Sequence, residues 1–215
     1  ISPNPALIKS LIDQNLAAKE NSVVEGDHAV TALLPFISKF FPNADITPML
    51  VREPMTLQES RDLAGFFNRQ FTNDTIIIAS IDFSHYLPKF TSDFHDRASL
   101  ASLNNLDTQF FKNSIDADSP QILTTLSYFL ASRAEQKFTL LEHTNSADLI
   151  QNPFETSTTS HFVGFFSEGE KRIKNQFTVL GNPENSDSLL EKGGDFILKY
   201  ADIAKRKKPV IFEKN

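Results

Sequence analysis

The spacing of apolar side chains divides the chain into alternating helical and extended stretches. Asn4-Pro5 has the form of a helix start, a capping side chain followed by proline at the first helical position. Leu7, Ile8, Leu11, Ile12 and Leu16 then recur on one helical face. A second helix is predicted from near Asp27, with Val30, Leu33, Leu34, Ile37, Phe40 and Phe41 at the same spacing and Pro35 kinking it. Asp45 to Val51 reads as a strand, which Pro48 places at an edge or a bulge. Thr56-Leu57-Gln58-Glu59 is a capping box, and the helix it opens turns Leu63, Phe66, Phe67 and Phe71 inward. Thr75 to Ile81 (TIIIASI) is short, apolar and β-branched, the pattern of a central strand covered on both faces.

Tyr86 to Asn113 is polar and predicted to be helical in two pieces. Ser119-Pro120 starts another helix, with Ile122, Leu123, Leu126, Phe129 and Leu130 inward. Lys137 to His143 and His161 to Ser167 read as strands, separated by an Asn-, Ser- and Thr-rich loop from Asn145 to Ser160. The alternation predicts an α/β domain on a mainly parallel sheet flanked by helices. Glu168 to Lys174 is a charged junction. Beyond it come a short strand (Phe177 to Leu180), a Gly193-Gly194 break, an amphipathic helix with Phe196, Ile197, Tyr200 and Ile203, and a last strand from Pro209 to Phe212. These features divide the chain into a domain over residues 1–168 and an extension over residues 171–215.

Composition narrows the class. Apolar residues make up 40% of the chain, and with 20 phenylalanines and no tryptophan, Phe is the expected main core filler. The formal charge is −6, and the one basic run, Lys205 to Lys208, reads as a solvated helix end. Nucleic acid and anionic membranes are therefore disfavoured as partners. The absence of cysteine excludes disulfides, thiolate ligands and a cysteine nucleophile. A reducing cytoplasm is the expected compartment. No apolar run approaches the ~20 residues of a membrane span. Ile1 to Lys9 do not have the pattern of a signal peptide, though any signal upstream of Ile1 would lie outside the chain. The seven glycines form no phosphate-binding loop, and no Gly-x-Ser-x-Gly elbow is present.

Candidate chemistry gathers at Ser80-Ile81-Asp82-Phe83-Ser84-His85-Tyr86, at the carboxyl end of the predicted central strand, where open α/β sheets place their ligands. An Asp three residues before a His can accept one imidazole N–H and free the other nitrogen for a metal or a proton. The plainer reading is two residues capping the next turn. Glu25-Gly26-Asp27-His28 starts a helix; Asp27 is explained as its cap, and His28 alone reads as an ordinary surface or packing residue. His95 lies on a polar helix among Asp93, Asp96 and Arg97, and reads as part of a solvated face. His143 and His161 stand at a strand end and a strand start, where they could share a rim with His85.

The runs EGDHAVTALLPFI, DITPMLV and IIIASIDFSHY, followed by KFTLLEHTNSAD and TSHFVGFFS, resemble the Memo-like family (AmmeMemoRadiSam system protein B) across roughly residues 5–168. The resemblance implies a fold related to class III extradiol dioxygenases and a pocket of histidines, an Asp and often a Cys suited to iron or copper. It matches Asp82 and His85 to the family's Asp and His, and His28 to the His of its Glu-His-Ser stretch. The expected roles are Asp82 as orienter of His85, and His85 and His28 as metal ligands or acid–base groups. It also implies association with a radical SAM protein and a second small partner. The departures are plain: Ala29 and Thr31 replace a Ser and a Glu, and Asp118-Ser119-Pro120 stands near the family's cysteine. The family's early Pro-His-Ala-Gly segment and a second His-containing segment would precede Ile1. Two functional readings stay open: a metal-dependent, dioxygenase-like or redox enzyme, and a non-catalytic ligand- or protein-binding module that kept the fold and lost the metal. A third reading takes the chain as a fragment of a larger sheet.

Overall fold

The computed structural model describes residues 2–169 except Asn73. The strands and helix predicted within residues 171–215 lie outside them. Asn4 accepts the Leu7 N–H at 3.0 Å and opens helix α1 (Pro5–Asp13), as its sequence predicts. Helices α2 (Asn21–Gly26), α3 (His28–Thr31) and α4 (Leu34–Phe40) follow. The one kinked helix expected from Asp27 is thus two short ones. Pro35 stands in the first turn of α4, where its missing N–H costs nothing, so a new helix starts there instead of an old one bending.

Strands β1 (Ser2–Pro3) and β2 (Asp45–Ile46) make a short parallel pair. Only these first residues of the strand expected to reach Val51 are paired. Helix α5 (Leu57–Gln70) has its full capping box: the Glu59 N–H donates to Thr56 Oγ1 at 3.1 Å, and the Thr56 N–H donates to the Glu59 carboxylate at 2.7 Å. Strand β3 (Phe83–Leu87), helices α6 (Lys89–Asn105), α7 (Thr108–Asn113) and α8 (Pro120–Leu130), strand β4 (Lys137–Asn145), helix α9 (Ser146–Leu149) and strand β5 (Thr158–Ser167) complete the described chain.

The main sheet has the order β3-β5-β4 and is antiparallel throughout. The described residues therefore form a mixed helix-and-sheet fold, and the mainly parallel sheet expected from the sequence is not what they build. The reason lies in Thr75 to Ile81. This run pairs with no strand among the described residues, and its Ile76 and Ile78 are 72% and 58% exposed. β4 and β5 supply the pairing instead, and the return through α9 makes them antiparallel. α9 occupies part of the predicted loop because Asn145 and Asp148 cap each other, each accepting the other's backbone N–H.

Three apolar clusters hold these elements. Leu11, Leu63 and Phe66 join α1 to α5. Ala64, Phe129 and Leu130 join α5 to α8. Phe83 of β3 clusters with Leu103, Phe111, Ile115 and Leu123, and Phe138, Phe162 and Phe166 of the sheet pack against them. No helix among the described residues is long and apolar enough to cross a membrane.

The β4–β5 contact depends on one missing side chain. Gly164 pairs with Leu140, and a Cβ there would stand 2.5 Å from Phe138 Cζ and 2.8 Å from the Thr139 carbonyl oxygen. Gly164→Ala is expected to destabilise the fold by about 1–3 kcal/mol through overpacking. Denaturant titration followed by circular dichroism measures this; an unchanged midpoint would mean that β4 yields freely.

Candidate metal centre

β3 begins where the unpaired apolar run ends, and a short ladder decides what stands beside it. Phe83 bridges Ala117 in antiparallel fashion. On either side, the Asp118 N–H donates to the Asp82 carbonyl at 3.0 Å and the Ser84 N–H donates to the Asp116 carbonyl at 3.0 Å. The Asp82 N–H donates to Asp118 Oδ1 at 3.1 Å. Residues 36 apart in sequence are thereby laid side by side, just ahead of α8.

His85 sits in irregular backbone. The register between β3 and β5 shifts between Phe83 and Leu87, and Ser84 (φ 39°) and Tyr86 (φ 55°) are both left-handed. Such φ values are uncommon for residues that carry a Cβ, and they cluster at functional sites. The His85 ring places Nδ1 3.3 Å from Thr159 Oγ1. Its Nε2 is buried and has no hydrogen-bond partner among the described residues. Asp82 Oδ2 is 4.0 Å from Nε2, beyond hydrogen-bond range. The orienting contact expected from Asp82 is therefore made by Thr159. Asp82 Oδ1 instead lies 3.3 Å from His161 Nδ1.

Asp82, His85 and Asp118 each offer one ligand-type atom, and these atoms all lie within 4.8 Å of one another. His28 is not part of this cluster; it is exposed at the start of α3. His95 and His143 are engaged elsewhere: His95 Nδ1 with Asp116 Oδ2 and His143 Nε2 with Asp96 Oδ2, both at 2.7 Å. His95 is thus more than a solvated surface residue. The sequence reading missed Asp118 and Thr159 as site residues. Its one signal for Asp118 was the position near the family's cysteine.

Partial burial pushes the Asp118 pKa above its ordinary value; the hydrogen bond from the Asp82 N–H opposes this, and the charge of the Asp82 carboxylate adds to it. A cation held between the two carboxylates would relieve that repulsion. It would also give the buried lone pair of His85 Nε2 a partner, which an orphaned interior nitrogen otherwise lacks at a cost. The residues present fit a divalent ion that accepts mixed nitrogen and oxygen donors.

A family model described as Memo-like protein matches residues 4–163. A "MEMO1 family protein" of Metallosphaera sedula is 22% identical over 134 residues, which cover 57% of this chain and 46% of the relative. The chain thus spans about half the length of this curated relative. Because the family match covers well over half of its residues, the chain belongs to the Memo-like family.

Proposed function

We propose that this Memo-like protein holds a divalent transition-metal ion at Asp82, His85 and Asp118 and serves dioxygenase-like or redox chemistry on a small substrate. The carrying observation is the buried, unpartnered Nε2 of His85, set against two carboxylates. For Nε2 to face a cation, the ring must keep its proton on Nδ1 and donate it to Thr159 Oγ1. His161 Nδ1 stands against the far oxygen of Asp82 and can hold that carboxylate in place. Imidazole favours iron, copper and zinc, while two carboxylates and no sulfur argue against copper(I); iron(II) is the first choice. When bound, such an ion would supply a Lewis acid and a one-electron centre. A fold related to the extradiol dioxygenases, and association with a radical SAM protein and a second small protein, belong to this reading through the family resemblance.

The test is elemental analysis of the purified protein, followed by anaerobic titration with Fe(II), Mn(II), Co(II) and Zn(II). One equivalent of one of these ions is expected. A protein that binds none of them would overturn the metal reading. The second reading, a ligand-binding module, then stands. It is favoured by the exposed His28, which leaves three donors in the cluster among the described residues.

A further inference from the structure

The inner face of α6 is polar up to Leu103. Ser92, Asp96, Ser99 and Ser102 are buried at helical spacing, and Asp96 is only 2% exposed. A buried carboxylate is costly unless it is fully hydrogen-bonded, and an apolar side chain would fill the space more cheaply. Both oxygens of Asp96 are used. Oδ1 accepts the Ser84 hydroxyl at 2.6 Å, and Oδ2 lies 2.7 Å from His143 Nε2 on β4.

One turn earlier on α6, Ser92 Oγ lies 2.7 Å from Thr158 Oγ1, whose hydroxyl in turn donates to the Leu87 carbonyl at 2.9 Å. Two consecutive inward residues of one helix thus hold the two ends of the irregular segment from Ser84 to Leu87. His85 lies between these holds, flanked by the two left-handed residues.

We propose that Asp96, acting through Ser84 and braced by His143, is a positioning residue: it keeps the left-handed backbone at Ser84 and thereby sets His85 against Asp82 and Asp118. The effect on metal affinity rests on the metal reading above; the effect on the placement of His85 does not. The geometry favours this role over simple packing, because the bond from Asp96 reaches the residue next to His85 and holds it where the backbone alone would not settle.

The experiment compares Ser84→Ala, Asp96→Ala and Asp96→Asn in the full chain. Co(II) affinity is measured by titration, and the side-chain nitrogens of His85 are followed by NMR in the metal-free protein. Ser84→Ala and Asp96→Ala are expected to weaken Co(II) binding by roughly tenfold or more and to shift the His85 resonances. Asp96→Asn still offers an oxygen to Ser84, and is expected to restore binding to within about threefold of the parent, the behaviour of a retained outer contact. If Asp96→Ala does not fold, Ser84→Ala carries the test, since it removes a single oxygen. Unchanged His85 resonances in a folded Ser84→Ala protein would overturn the proposal. If the parent protein binds no Co(II), the metal reading fails, and a shift of His85 in Ser84→Ala still supports the positioning role.

Discussion

Replacing His85 with alanine is expected to remove nearly all affinity for a divalent ion while leaving the fold intact. The ring is the one nitrogen donor of the cluster, and its Nε2 is the atom left buried without a partner. Its loss leaves two carboxylates, one of them exposed, which water and loosely held cations can satisfy. The drop should therefore exceed the roughly tenfold to hundredfold that loss of an outer contact costs. The fold should survive because His85 belongs to none of the three apolar clusters. Calorimetric titration with Co(II) and Fe(II), beside a thermal melt, measures both quantities. Parent-like affinity in the His85→Ala protein would place any bound ion elsewhere. Asp118→Ala is the companion variant and should also weaken binding.

The second large effect concerns stability. Phe66 of α5 is 0% exposed and meets Leu11 and Leu63, with its ring centroid 6.1 Å from that of Phe67 in an edge-to-face contact. Phe66→Ala removes a whole ring and leaves a void between α1 and α5. The expected loss is about 3–5 kcal/mol. Against a usual total of about 5–15 kcal/mol, that brings the chain near unfolding. Urea denaturation followed by circular dichroism reads the change directly. A loss below about 1 kcal/mol would mean that α1 collapses into the space, which the spread of such measurements allows only where packing is loose.

Local signals along the chain were legible because the interactions behind them are local. Asn4 with Pro5, the Thr56–Glu59 box, Ser119-Pro120 and the apolar spacing of α5 and α8 each specify a helix within a few residues, and each helix is found. The Asp82–His85 motif was legible for the same reason. What failed were inferences that need a distant partner. TIIIASI has the composition of a covered strand, but a strand exists only where another backbone lies beside it, and composition does not say whether one does. Asp118 joined the site through a three-residue ladder to Asp82–Ser84, formed across a long separation that no spacing rule detects. The role expected of Asp82 toward His85 depended on a side-chain distance. The bulge in β3 set that distance, with two left-handed residues that carry none of the usual glycine warning. His28 matched the family by motif, yet it stands exposed at the start of α3.

The polar inner face of α6 bears on the order in which the chain assembles. Apolar contact is non-directional and can gather helices before their register is set. Apart from Leu103, which joins the apolar cluster at β3, a face of Ser92, Asp96, Ser99 and Ser102 offers little of that early attraction. Ser92 and Asp96 hold only where partners stand at hydrogen-bond distance on β3, β4 and β5, whereas the Ser102 hydroxyl donates to the Ser99 carbonyl within the helix. We expect the N-terminal half of α6 to lock onto the sheet after Leu103 has joined the core, and hydrogen exchange during refolding tests this order, with early protection of Ser92 and Asp96 counting against it.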